Sequence, residues 1–322
     1  MSRILTGVQS TGTPHLGNIL GAIKPAIKLA ESENESFLFI ANLHSLTQIK
    51  DAETLKDNTF KTAATWLACG LDYKRTVFYR QSDVPECTEL AWYLMCFFPY
   101  QRLTLAHSFK DKSDRLKDVN GGLFTYPMLM AADILLYDAD LVPVGKDQLQ
   151  HLEMTRDVAN RINHKVGSEI LIPPGEKIEE NNQLIPGIDG HKMSKSRGNT
   201  IDIFLPEKKL RKQVMKIETD STPMEEPKKA NGCNVFELYK LLASEEEIAA
   251  MKANYEKGGY GYGHAKQALY ELILDKFSKE RKAFEYYTNN PDEVEEILQK
   301  GAEKARKVAA KTLKRVKNKL GY

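Results

Sequence analysis

Up to about residue 200, short apolar runs of strand length alternate with segments of helical periodicity; beyond it the runs stop. "RILTGVQ" reads as a strand, and Leu16, Ile19, Leu20, Ile23 and Ile27 then recur at helical spacing. "FLFIA" (37–41) reads as a second strand, while residues 51–69 are helical in pattern and stop at Gly70. "TVFYRQ" and "DLVPVG" (140–145) give two more strands, the latter leading into the helical "DQLQHLEMTRDVANRIN". Strands joined through helices pair in parallel, so the expected fold class is α/β, a doubly wound parallel sheet. After residue 200 every patterned segment is helical, among them "NVFELYKLLASEEEIAAMKANYE" and "HAKQALYELILDKFSKERKAFEYY", so an all-helical domain should follow. Pro25 inside the first helix predicts a kink there.

With 322 residues, 42% of them hydrophobic, the chain can bury cores for about two domains. No apolar run approaches the ~20 residues that span a bilayer, so no membrane association is expected. "MSRILTGVQS" enters a core strand directly, and no signal or transit peptide is expected before it. Cys69, Cys87, Cys96 and Cys233 lie far apart without a C-x-x-C pair, which points to reduced thiols, a cytoplasmic location and no structural metal. Cys87 and Cys96 read as packing residues. The net charge of +2 hides an asymmetry: residues 301–322 carry +7, and residues 1–300 therefore −5. On a helix, Ala305, Ala309, Leu313, Val316 and Leu320 form an apolar stripe, with Lys304, Lys307, Lys311, Lys314 and Arg315 opposite. Such a helix either cradles phosphates or buttresses the rest of the molecule.

Two loops carry the chemistry. In "GVQSTGTPHLGN" (7–18) a strand ends near Gln9 and a helix begins near Leu16. Ligands of such sheets bind beyond the strands' carboxyl ends, where a helix N-terminus offers free N–H groups to a phosphate. Neither the dinucleotide glycine fingerprint nor the P-loop pattern is present. The second loop, "GHKMSKSRGNT" (190–200), sets Lys192 and Lys195 three apart in a polar stretch that the run 184–188 enters like a strand.

"HLGN" (His15–Asn18) and "KMSKS" (Lys192–Ser196), separated by a wound α/β region, resemble the signature pair of the class I aminoacyl-tRNA synthetases. Asn18 stands where the HIGH motif has its second histidine; the second motif matches fully. Residues 125–163, and the length of the whole chain, resemble the tryptophan-specific branch. The resemblance implies a Rossmann-like catalytic domain over 1–186, a hinge loop over 187–200, a helical tRNA-binding domain over 201–300 and a basic C-terminal helix over 301–322. It implies activation of L-tryptophan by ATP with Mg²⁺, transfer to the terminal ribose of tRNA, and a homodimer. Lys192, Lys195, His15, Asn18 and Lys112 are the catalytic residues it implies, the lysines supplying mobile cations to the leaving pyrophosphate. For ATP it implies Gln9, Ser10, Thr11, Gly17, Asn18, Gly145, Lys146 and Asp147, with Ile185 or Leu184 on the adenine and Lys192, Met193, Ser194, Lys195 and Ser196 from the second loop.

Tyr126, Met130, Asp133 and Tyr137 fall on one helix face, apolar except for Asp133. A buried aspartate needs a partner, and alone this one reads as an internal ion pair or cap. The resemblance makes it the acceptor for the indole N–H, with Met130, Tyr126, Leu5, His44, Val142 and Val144 walling the ring and Gln148 at the substrate's polar end. A pocket built on that bond can reject an analogue lacking the donor by ~10⁴-fold. Three residues depart from the family's habit: Lys146 replaces an acid, Leu5 an aromatic and Ser10 a proline. "KGGYGYGHAK" (257–266) follows no strand and reads as a turn opening a helix near His264. Two rival readings are a tyrosine-specific relative and a non-enzymatic regulator, the latter opposed by the intact lysines.

Overall fold

The computed structural model describes residues 2–31, 35–106, 119–145, 148–178 and 185–322. Five parallel strands form one sheet: β1 (Arg3–Val8), β2 (Glu35–Ile40), β3 (Val77–Arg80), β4 (Leu141–Val144) and β5 (Gly175–Ile178), in the order β3-β2-β1-β4-β5. The order reverses between β1 and β4, which opens a crevice at their carboxyl ends. Sequence patterning finds four of the strands and misses β5, whose "GEKI" alternates nothing apolar.

The strand periodicity of two sorts side chains to the faces. Leu38, Ile40 and Phe78 join one core cluster; Leu5, Phe37, Phe39, Tyr79, Val142 and Val144 join the other. On the first face pack α1 (16–30) and α3 (Ala52–Ala68), with the short α2 (Asn42–Ser45) between β2 and α3. Asp51 caps α3, its carboxylate accepting from the Thr54 N–H, as a chain stop at Gly70 and a start near 51 predict. The kink expected at Pro25 takes a specific form. α1 starts as Leu16–Asn18, widens to a π-helix over Ile19–Ile23 and returns to α at Lys24–Ala30, so that Pro25 lies in a new first turn where its missing N–H costs nothing.

The second face carries α4 (Glu86–Phe97), α5 (Tyr100–Thr104), α6 (Gly121–Leu135) and α7 (Leu149–Val166). After residue 200 come only helices: α8 (Glu207–Met215), α9 (Asn234–Lys240), α10 (Glu245–Lys257), α11 (Tyr262–Lys276), α12 (Ser278–Asn289) and α13 (Pro291–Leu320). The glycine-rich stretch at 257–266 is indeed a turn, its Gly261 capping α11.

The C-terminal helix is longer than the expected 301–322: α13 begins at Pro291. Val294, Ile297 and Leu298 belong to the first cluster, whereas Ala302, Ala305, Ala309, Leu313 and Val316 belong to the second. Between them the helix crosses the sheet's β3 edge so closely that a Cβ on Gly301 would lie 1.7 Å from the Phe78 carbonyl oxygen. An edge covered in this way offers no template for another strand. Basic residues fasten the rest of α13: Arg306 pairs with Glu86 at 3.1 Å, Arg315 with Asp138 at 2.6 Å, and Lys317 with Glu89 at 2.6 Å. Buttressing, one of the two jobs open to this helix, is therefore a contact of the folded chain. Lys304, Lys307, Lys311 and Lys314 remain exposed.

Candidate active site

The crevice between β1 and β4 deepens into a cavity of about 500 Å³. β1 contributes Leu5, Thr6 and Gly7, with Gln9 beyond; β2 and its following helix give Phe39, Ala41 and His44; β4 gives Val142 to Gly145, and Gln148 follows. Helix α6 presents Tyr126, Met130, Asp133 and Ile134. All eight residues that the tryptophan resemblance singles out thus line one space. Its volume lies in the usual range for small-molecule sites of ~300–1,000 Å³. Tyr137 does not share it, for α6 ends at Leu135. Beyond that end Tyr137 turns under the sheet and stacks on Phe37, ring centroids 4.7 Å apart.

Asp133 is 4% exposed and the cavity's buried charge. His44 Nε2 lies 3.0 Å from its Oδ2, and Gln81 Nε2 lies 2.9 and 2.8 Å from its two oxygens. The Cys87 thiol donates to Oδ1 at 2.9 Å, so the packing role expected of Cys87 is incomplete, and Cys96 is exposed rather than packed. Tyr126 hydroxyl meets His151 Nε2 and its ring stands edge-on to His44, which holds one wall of the cavity.

Beyond Gln9, which borders the cavity, the two signature loops meet. His15 caps α1, its Nδ1 accepting from the Asn18 N–H at 3.3 Å while Asn18 Oδ1 accepts from the His15 N–H at 3.2 Å. Burial first, then the Lys195 ammonium, lowers the His15 pKa to about 4, and the neutral ring is the form that can accept. Pro186 bridges Lys192 in antiparallel fashion and the Met193 N–H donates to the Ile185 carbonyl, so the second loop returns along the chain that enters it. Met193 is buried, and Gly17 N–H reaches its sulfur at 3.3 Å. Leu16 N–H donates to the Ile201 carbonyl at 2.8 Å. These contacts explain the apolar residue between the lysines: it seats the loop on the start of α1.

The two lysines part company. Lys195 extends over the glycine loop, where a Cβ on Gly12 would lie 3.1 Å from its Nζ. Desolvation of that ammonium lowers its pKa to about 8, the Asp202 carboxylate opposing the shift. Both lysines keep substantial solvent exposure, and Lys192 contributes its carbonyl, which accepts from Asn199 Nδ2. Ser194 and Ser196 face each other at 3.2 Å. Ser10 is fully buried, its hydroxyl in a chain with Thr59 and Ser45, so that side chain braces the loop and does not reach the cavity. Thr11 is half-buried, and Ile185 is buried behind the second loop. Lys112, Lys146, Asp147 and Leu184 lie outside the described residues. Sequence reasoning passes over Gln81, whose partner Asp133 is distant in the chain, and over Asn199 and Asp202, whose partners lie within the second loop and the residues just after it. Asn199, 2% exposed, also accepts from Ser194 N–H and donates to Asp189.

The model for tRNA synthetases class I (W and Y) matches residues 1–278. The tryptophan–tRNA ligase of Campylobacter jejuni is 46% identical over 319 residues, 99% of each chain. That of Fusobacterium nucleatum is 46% identical, covering 100% of this chain and 98% of its own. The solved tryptophanyl-tRNA synthetase of Campylobacter jejuni, complexed with ADP and tryptophan, superposes with a TM-score of 0.95 over 99% of this chain and 100% of its own, at 46% identity. With a family model over most of its length and relatives of this kind along all of it, the chain belongs to the tryptophan–tRNA ligases of the class I synthetase family.

Proposed function

We propose that the cavity holds L-tryptophan with its indole N–H directed at Asp133 and its carboxylate toward the mouth, where ATP lies across the start of α1. The carboxylate attacks the α-phosphorus, the tryptophanyl-adenylate forms, and pyrophosphate leaves with its charge met by Lys195. Transfer to the 3′-terminal ribose of tRNA follows. The single observation that carries this reading is that the loop after β1 borders Asp133's cavity at Gln9 and lies under Lys195 at Gly12. ATP enters as its Mg²⁺ complex, the ion carried on the triphosphate as part of the substrate. Gln9, Gly17, Asn18 and Gly145 border the nucleotide, and Gln148 the amino-acid end. Lys192 joins the phosphates when the loop moves further in.

Residues 1–186 form the catalytic part in this reading, 187–200 its loop, and 201–300 the tRNA-binding part. The homodimer is supported by large apolar side chains left exposed, Trp92 on α4 at 63%, Tyr100 at 67% and Leu105 at 54%. No described helix is long and apolar enough to cross a membrane. The four cysteines are free, which supports a cytoplasmic setting.

Amino-acid-dependent ATP–pyrophosphate exchange with all twenty amino acids tests the reading, and exchange with tryptophan alone is expected. Exchange with tyrosine would keep the mechanism and overturn the pocket. Tryptophan binding without any exchange would favour a regulator. Lys195→Ala should lower kcat by about 10²–10³-fold, the usual cost of one preorganised donor. The ammonium loses its proton as pH rises through about 8, so kcat/KM for ATP, which reports the free enzyme, should fall on the alkaline side of that value. Lys195→Arg should abolish that limb, because a guanidinium stays charged throughout.

A further inference from the structure

A carboxylate selects a donor only if its oxygens are held where the donor arrives. Asp133 is supported on two sides. His44 touches it from within the cavity, whereas Gln81 and Cys87 are not among the cavity's lining residues and reach it from behind. Both belong to the segment "QSDVPEC" between β3 and α4, Gln81 opening a 3₁₀ turn over Gln81–Asp83 and Cys87 lying in the first turn of α4. The orientation of the Gln81 amide is fixed by its other end: Oε1 accepts from the Leu43 N–H at 3.1 Å, so Nε2 faces the carboxylate. That amide nitrogen spans both oxygens, at 2.9 and 2.8 Å. The thiol takes Oδ1 alone, and burial together with the neighbouring Asp133 charge raises its pKa well above the usual value, so it remains an S–H donor. Cys87 is 2% exposed and Gln81 1% exposed, so neither is held by solvent.

We propose that Gln81 and Cys87 are positioning residues that clamp the Asp133 carboxylate from the far side of the cavity and thereby set the enzyme's discrimination for the indole N–H. An ionised carboxylate has about four lone-pair sites. The rear donors take sites turned away from the cavity and leave rotation of the carboxylate as a loss of hydrogen bonds. With the clamp intact, the remaining lone pairs point at the substrate, on the side where His44 also reaches the carboxylate. With it loosened, the carboxylate can turn to follow an incoming ligand, and an analogue without the N–H is penalised less. Neither residue touches substrate in this scheme; each acts through Asp133. The proposal rests on the assignment of Asp133 as the indole acceptor.

The test compares tryptophan with 3-benzothienylalanine, in which sulfur replaces the indole N–H, in pyrophosphate exchange by the full-length enzyme and by Cys87→Ala, Cys87→Ser and Gln81→Met. The ratio of the two kcat/KM values, measured on one preparation, does not depend on the fraction of folded enzyme. Hydrogen bonds to charged groups typically contribute an order of magnitude or more, so the ratio should fall by about tenfold in Gln81→Met and several-fold in Cys87→Ala. The change should appear in KM for tryptophan rather than in kcat, and Cys87→Ser, which keeps a donor, should restore the ratio. A ratio unchanged in both Cys87→Ala and Gln81→Met, or a serine variant no better than alanine, would overturn the clamp while leaving tryptophan activation standing. A parent enzyme that does not activate tryptophan would overturn the underlying assignment and the clamp with it.

Discussion

Asp133→Ala should lower kcat/KM for tryptophan by on the order of 10³-fold, because truncating one partner of a buried charged hydrogen bond costs about 2–5 kcal/mol. Two losses add. In the proposed pose the indole N–H loses its acceptor, and His44, Gln81 and Cys87 lose the group that all three face. The isosteric Asp133→Asn separates them. Its carbonyl can still accept from the indole, but its NH₂ now confronts donors on the protein side. Thermal denaturation of both variants should show Asn retaining more stability than Ala, with activation of tryptophan poor in each. Normal activation by either variant would remove Asp133 from the centre of recognition.

Gly301→Val should be the most damaging single change outside the cavity. A Cβ there would lie 1.7 Å from the Phe78 carbonyl oxygen and 2.6 Å from its carbon, and both belong to backbone held in the sheet. No rotamer relieves that contact, so α13 must lift from β3. Overpacking of this kind costs about 3 kcal/mol or more, seen as a lower melting temperature and loss of soluble protein. Gly263→Ala supplies the control. It is the second residue of α11 with nothing within 4 Å of a new Cβ, so a change in helix propensity acts without a clash and stability should rise by no more than about 0.5–1 kcal/mol, the helix-interior value. Equal responses at the two glycines would show that the close approach is not held in solution.

The pocket is readable in the sequence because its walls are local patterns: a face of α6 and the ends of β1 and β4. Each side chain's direction follows from helical or strand periodicity once the element is known. The polar partners are not readable that way. Gln81 and Cys87 meet Asp133 across some fifty residues of chain, and nothing in "RQSDVPEC" signals a shared carboxylate. Ser10 misleads for the same reason: its hydroxyl is used up by Ser45 and Thr59, a tertiary contact. The lysine pair shows a third limit. Spacing gives both residues equal standing, but the hairpin-like return through Met193 sends Lys195 over the glycine loop, while Lys192 gives its backbone carbonyl to Asn199. β5 escapes because a short charged strand lacks the periodic signal.

α13 is a single rod gripped at both ends. Its first turns are set in the core that the later helices share with α1 and α3, and its last turns in the core on the other side of the sheet. Torque applied to one end must reach the other. A swing of the later helices about the sheet could not leave this rod unbent unless one grip slipped, and glycine's low helix propensity makes Gly301 the least stiff point of its interior. The glycine that lets the rod pass the sheet is thus also the place where it would flex.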